Sequence, residues 1–162
     1  MGILTEDMKR VIAEQRLGFL ATVCPDGTPN LSPKGTTEVW DDDHLIFADI
    51  RSPGTIANLR QNPGIEINVI DQYVRRGYRF KGPAEVITEG PIFDKVLAQR
   101  KERGARSPIR AVVLMKVDRA LPLTSPDYDL GTPEADIRAR WSRYWHDLDQ
   151  AAQAAKAPQA SS

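Results

Sequence analysis

The chain has 162 residues, of which 41% are hydrophobic and 27% charged, a length and composition typical of one globular domain. Twenty-two basic residues balance twenty-two acidic ones, so no whole-molecule field draws the protein toward nucleic acid or anionic lipid. We therefore expect neither nucleic acid nor a membrane as a partner, and any anion site must be local.

The first part of the chain is predicted to hold a helix and three strands. Thr5 can cap a short amphipathic helix, because acidic residues follow it and an apolar stripe comes after them. The β-rich run 18–24 meets a turn with the sequence Pro-Asp-Gly, and a second extended segment then covers residues 29–40. An acidic break separates that segment from a third strand over 44–49. The short links between these strands predict an antiparallel meander.

The second part is predicted to mix helices and strands. Ser52 followed by proline predicts the start of a helix that ends at Gln61. A later strand contains Gly82-Pro83, which is a signal for a bulge. The predicted elements are strands over 64–70, 78–87 and 111–117, and helices over 93–103 and 137–148.

About six strands with few helices favour a mainly β fold, an antiparallel barrel with flanking helices, over a doubly wound sheet. No glycine-rich dinucleotide fingerprint follows a predicted strand. Residues 1–150 are interpreted as one domain, and the Ala/Gln/Ser-rich stretch 151–162 as a disordered tail.

Trp141 and Trp145 form an aromatic stripe on the last predicted helix. Such a stripe is usually core packing, and a dimer or cofactor contact is the alternative.

No Ser-His-Asp order or carboxylate pair can be singled out, so no catalytic side chain is predicted and a cofactor is expected to supply the reactivity. Cys24 has no disulfide partner, and its spacing to the two histidines does not resemble a zinc site.

The N-terminus lacks a signal-peptide pattern, and no segment approaches the roughly 20 apolar residues of a membrane span. These features predict a cytoplasmic protein without a bound metal.

Two motifs in the first half of the chain are candidate binding sites. In Ser32-Pro33-Lys34-Gly35, proline removes a ladder donor and glycine lets another group approach the backbone. The alternative is an edge strand that Pro33 and Lys34 protect from aggregation. The segment 51–55 places a hydroxyl, a guanidinium and free helix N–H groups together, although an ordinary helix cap has the same pattern.

A third candidate is the pair Arg79 and Lys81, which strand alternation places on one face with Phe80 on the other. Two cations on one strand face repel each other unless an anion lies between them. The alternative is pairing with Asp or Glu across the sheet.

These residues resemble the pyridoxamine 5'-phosphate oxidase-like FMN-binding split barrels, especially their short stand-alone members. The resemblance rests on FLATVCPDGTPNLSPKG, LIFADIRSPGTIANLRQNPGIEINVID and GYRFKGPAEV, and it covers about Gly18 to Val86. It implies an antiparallel split β-barrel that works as a homodimer and holds FMN in a groove between two subunits.

Carried over by position, the resemblance also implies the cofactor contacts. Polar side chains would hold the FMN phosphate, two backbone positions would face the flavin ring, and two cations would line the same groove. True pyridoxamine phosphate oxidases have an Arg- and Lys-rich clamp where this chain has serine, glycine and threonine, so vitamin B6 oxidation is not expected. The implied cofactor-binding set is Ser32, Pro33, Lys34, Gly35, Thr55, Asn58, Arg79 and Lys81.

Three functions follow from this reading. The first is an FMN-dependent oxidoreductase that acts on an unidentified small molecule with NAD(P)H or a similar electron donor. The second is a non-catalytic flavin-binding or stress-related protein. The third is a reductase on the same fold that uses the deazaflavin F420 instead of FMN. Fold and cofactor alone do not determine the reaction.

Overall fold

The structure, a computed structural model, describes residues 2–156. It confirms the expected fold class, because an antiparallel, curled sheet of eight strands with flanking helices forms a split β-barrel. The described helices are α1 (Glu6–Gln15), α2 (Pro53–Gln61), α3 (Pro91–Glu102) and α4 (Glu134–Lys156). The described strands are β1 (Gly18–Val23), β2 (Pro29–Lys34), β3 (Glu38–Val39), β4 (His44–Asp49), β5 (Gly64–Asp71), β6 (Arg76–Ile87), β7 (Ala111–Lys116) and β8 (Arg119–Thr124).

The strands pair in the order β2-β1-β5-β6-β7-β4-β3, and β8 pairs with β6. The contacts divide the chain into two compact units. The first holds the chain up to Ile70 and the segment Gly77–Leu123, and the second holds Asp71–Arg76 and the chain from Thr124 onward. Helix α4 continues to Lys156 where a disordered tail is predicted, and residues 157–162 lie outside the described part of the chain.

Alternating side chains build the core of the first unit. Leu20, Ile67 and Phe80 come from three neighbouring strands, and each is completely buried between exposed or half-buried sequence neighbours. Phe47 on β4 and Met115 on β7 belong to the same core cluster, and their two strands are neighbours in the sheet. This pattern fixes which face of each strand is inside, because a slip of one residue would expose the whole apolar set.

The sheet has eight strands where about six are expected. The segment predicted as one strand over 29–40 turns after Lys34 and forms both β2 and β3. Two threonine hydroxyls hold this turn, since Thr37 donates to the Lys34 carbonyl and Thr36 bonds both backbone groups of Ala48. Strand β8 is missed because its central Pro122 weakens the strand signal.

Aromatic side chains of α4 pack within the second unit. The guanidinium of Arg75 lies 3.5 Å from the ring centroid of Trp141, a cation–π contact, and Tyr144 makes edge contacts with Trp141 and Trp145. Of the α4 side chains that the structure describes, only Ile137 is fully buried. The aromatic stripe is therefore half-buried rather than a closed core.

No described helix is both long enough and apolar enough to cross a membrane.

Strand β6 runs through Gly82, where the backbone of β7 comes very close. A Cβ atom at this position would lie 2.0 Å from the carbonyl oxygen of Lys116. We therefore expect Gly82→Ala to lower the free energy of unfolding by about 1–3 kcal/mol or more. Gly54→Ala is the matched control, because a Cβ there meets nothing within 4 Å and alanine favours the helix by up to about 1 kcal/mol. Urea unfolding compares the two variants, and equal stabilities would contradict the close approach.

Candidate functional site

The turn after β2 brings Lys34 beside the start of α2. Its side chain reaches inward, and the residue is only 6% exposed. The ammonium group donates one hydrogen bond to the Ser32 hydroxyl and another, of 2.7 Å, to the Ser52 hydroxyl. A buried cation needs such partners, because burial without them costs several kcal/mol. Lys34 therefore ties the end of β2 to the residue that precedes α2.

Ser52 occupies the N-cap position of α2, but its hydroxyl makes no hydrogen bond to the helix. Pro53 has no backbone N–H, and the amide of Ile56 already bonds the Ser52 carbonyl. The amides of Gly54 and Thr55 are thus left without a side-chain cap. Free amides at the positive end of a helix dipole are suitable donors for an anion.

A cleft of about 230 Å³ opens beside these groups. Lys34 lines this cleft, and its ammonium group has three N–H groups, of which two are donated to serines. The hydroxyls of Ser32 and Ser52 accept from Lys34, so each keeps its own O–H to donate. Lys34 and the two serines that it contacts can therefore offer one N–H and two O–H donors to an oxyanion, and of these three residues Lys34 and Ser52 line the cleft. Its lining residues are Pro33, Lys34, Gly35, Thr36, Ala48, Ile50, Arg51 and Ser52.

The electrostatics of this cleft also favour an anion. Burial lowers the pKa of Lys34 below its ordinary value of 10.5, and the nearby carboxylate of Asp49 opposes that lowering only in part. The same carboxylate accepts a hydrogen bond of 2.8 Å from the Ser52 amide and so holds the loop before α2. The charged form of Lys34 is consequently short of compensating negative charge, which a bound oxyanion would supply.

Thr55 and Asn58 belong to a neighbouring buried cluster and do not line the cleft. The Asn58 amide donates to the Thr22 hydroxyl at 3.1 Å and approaches the Cys24 sulfur at 3.6 Å. The Asn30 amide donates to the hydroxyls of Thr22 at 3.1 Å and Thr55 at 3.4 Å. These bonds dock α2 on β1 and β2, so the two side chains position the helix that begins directly after the cleft residue Ser52.

Arg79 and Lys81 lie on the strand face opposite Phe80, as the alternation predicts. The Arg79 Nε atom is 2.9 Å from Glu66 Oε1 and 3.4 Å from Asn68 Oδ1, both on β5. Arg79 therefore pairs with an acidic residue across the sheet, which is the alternative given for this motif. Lys81 is exposed and makes no side-chain bond within the described residues. Neither cation lines the cleft around Lys34.

The structure therefore brings together four of the eight sequence-predicted positions, namely Ser32 to Gly35. It adds Ser52 and Arg51, which the predicted set omits although the segment 51–55 is noted as a phosphate-binding pattern. The sequence of the helix start indicates these two residues, but an ordinary helix cap gives the same pattern. The hydrogen bond from Lys34 to Ser52, which are 18 residues apart in sequence, distinguishes a candidate anion site from an ordinary helix cap.

Comparison with known proteins places this chain among relatives of the same fold. The family model described as pyridoxamine 5'-phosphate oxidase matches residues 4–123. The crystal structure of HupZ from Group A Streptococcus is 35% identical, covers 76% of this chain and 96% of its own, and has a TM-score of 0.69.

Two more distant structures share the fold. An FMN-binding protein from Syntrophomonas wolfei is 20% identical, with a TM-score of 0.64, and the match covers 74% of this chain and 86% of that one. An F420 reductase is 21% identical, with a TM-score of 0.56, and the match covers 73% and 98% respectively.

The lowered pKa of Lys34 has a measurable consequence for stability. The unfolded chain binds this proton more tightly than the folded protein, so stability rises with pH between the lowered pKa and 10.5. Lys34→Met removes the titrating group, so the stability of this variant should rise less across that pH range. The expected difference is about 1.4 kcal/mol for each tenfold difference in proton affinity. Urea unfolding of both proteins from neutral pH upward tests this, and parallel stability curves would contradict it.

Proposed function

Because the chain belongs to the pyridoxamine 5'-phosphate oxidase family, we propose that it is an FMN-dependent oxidoreductase acting on an unidentified small molecule. The observation that carries the proposal is the buried ammonium of Lys34, held by two serine hydroxyls beside uncapped helix amides. This donor set matches a phosphate monoester, which needs several hydrogen bonds and a compensating positive charge. FMN carries such a phosphate.

In the proposed complex each donor has a separate role at the phosphate. Lys34 supplies the buried charge and its third N–H, and Ser32 and Ser52 supply hydroxyl donors. The amides of Gly54 and Thr55 add the helix dipole. Arg51, which is exposed at the mouth of the cleft, screens the remaining negative charge.

The flavin ring would lie toward Pro33 and Gly35, which also line the cleft. A Cβ atom at Gly35 would meet nothing within 4 Å, so a planar group has room to approach this backbone. When bound, FMN supplies hydride or electron transfer, so the protein needs no dedicated acid or base for that step. The proposed role of the chain is to bind the cofactor and to orient the small molecule beside it. NAD(P)H or a similar compound would donate the electrons.

The proposal includes a homodimer. The outer face of β1 and β2 carries large apolar side chains, with Leu31 66% and Phe19 42% exposed. Leu31 pairs with Ala21, and Phe19 pairs with Pro33, so the register sets these residues side by side. A contiguous apolar face of this kind is typical of a protein interface. In such a dimer, Lys81 is better able than Arg79 to contact a ligand, because Arg79 already has Glu66 as a partner.

Flavin titrations of wild type and Lys34→Ala test the proposed cofactor site. Wild type should bind FMN more tightly than riboflavin, which lacks the phosphate. Loss of Lys34 should weaken FMN binding by about 10- to 100-fold, as expected for a charge-assisted hydrogen bond, and leave riboflavin affinity nearly unchanged. Lys116→Ala is the matched control, because that lysine is 63% exposed on β7 and distant in sequence from the cleft. Flavin fluorescence gives both affinities, and equal FMN affinity in all three proteins would remove Lys34 from the site.

The same preparation separates the remaining functions. Mass spectrometry of the bound cofactor would identify F420 in place of FMN, and that result would replace the proposed cofactor. Tight FMN binding without turnover, with NADH or NADPH and a panel of acceptors, would favour a non-catalytic flavin-binding protein.

The dimer has its own test in light scattering. Wild type should have about twice the 18.1 kDa mass of the chain. Leu31→Asp should give a monomer, because a charge at the centre of an apolar interface is costly to bury. Leu130→Asp serves as the control, since Leu130 is an exposed leucine of the second unit. A monomeric wild type would overturn the proposed dimer.

A further inference from the structure

A second cleft lies in the first unit, between α3 and the strands β3 and β4. Its volume is about 120 Å³, well above the roughly 10–15 Å³ that one water molecule needs. Six of its lining residues contribute a charged side chain, a backbone carbonyl or an aromatic ring. They are Thr36, Glu38, Trp40, Lys95, Arg100 and Arg103.

Arg100 is the fixed cation of this cleft. Its side chain is 18% exposed, and its Nη2 atom donates both to the Thr36 carbonyl at 2.9 Å and to Glu38 Oε1 at 3.0 Å. A guanidinium has five N–H groups, so the N–H groups on Nε and Nη1 are left. Among the described residues they make no hydrogen bond. Arg100 is thus held rigidly by one nitrogen while others remain able to donate.

Positive charge exceeds negative charge around the cleft. Arg103 Nη1 donates at 2.7 Å to the same Glu38 oxygen that Arg100 uses, so one carboxylate serves two guanidinium groups. Lys95 adds a third cation, whose Nζ atom lies 4.5 Å from the centroid of the Trp40 ring. Glu38 is the only acidic residue in the lining. The lining therefore carries an excess of two positive charges.

We propose that this cleft binds a small, doubly charged oxyanion, most simply the phosphate group of a small metabolite. A dianion would neutralise the excess charge, and arginine N–H groups match the geometry of phosphate oxygens. The partly closed walls lower the local dielectric and strengthen such contacts relative to a flat basic surface. The Trp40 ring supplies an apolar wall on which the rest of the metabolite can lie.

This site is separate from the cleft around Lys34. The two clefts share Thr36 and Ala48 in their walls, but Lys95, Arg100 and Arg103 face only the second one. The proposed flavin phosphate site uses Lys34 and two serines, none of which lines the second cleft. Binding here therefore does not depend on the proposed flavin function, and either proposal can fail alone.

Titration with inorganic phosphate, followed by NMR on the flavin-free chain, tests the site. The Trp40 indole N–H and the Arg100 Nε–H report this cleft separately from the first one. Both signals should shift in a saturable way with one common affinity. Acetate, at matched ionic strength, should bind at least several-fold more weakly because it carries a single charge.

Two variants and a matched control decide whether the cleft or general charge is responsible. Arg103→Gln keeps the bond between Glu38 and Arg100, and Lys95→Gln removes only an exposed cation, so both should fold. Each should weaken phosphate binding by about tenfold. Lys101→Gln removes one charge from the same helix outside the cleft and should change the affinity less than twofold. Unsaturable shifts, or an equal loss in all three variants, would overturn the proposal.

Discussion

The candidate site depends on the burial of one cation. Lys34 ends β2 with its ammonium group inside the protein, where it must find hydrogen-bond acceptors or lose its charge. One acceptor is the hydroxyl of Ser32 on β2, and the other is the hydroxyl of Ser52, directly before α2. Asp49 fixes the position of Ser52, because its carboxylate accepts a hydrogen bond from the Ser52 backbone N–H. The turn after β2, the start of α2 and the free helix amides are thus held in one arrangement.

Several elements could be predicted from the sequence because their signals are local. Proline after Ser52 defines the start of α2, and the acidic run before His44 defines the start of β4, whose bounds match the prediction. The break after Lys34 could not be predicted in this way. It depends on Thr36 bonding the backbone of Ala48, a contact between residues that are 12 positions apart. Pairings of this kind arise only once the sheet has formed.

The site was predictable to a similar extent. Alternation along a strand places Ser32 and Lys34 on the same side, and the structure joins them. Arg79 satisfied the same rule, yet it pairs with Glu66 because β5 lies beside β6. Sequence spacing gives the face of a strand, but it does not give the neighbour that occupies that face. The role of Ser52 is ambiguous in the sequence for the same reason, since its hydroxyl could equally cap its own helix.

The central claim, that Lys34 and its serines form a phosphate site for FMN, is tested most directly by ³¹P NMR of FMN bound to the protein across a pH series. The dianion of a free phosphomonoester takes up a proton near pH 6, at about the value for phosphoserine. Because Lys34 and the helix amides stabilise the dianion, the bound resonance should keep its dianionic shift well below that pH and lose this protection in Lys34→Ala. A bound phosphate that titrates like free FMN in the wild-type protein would contradict the account.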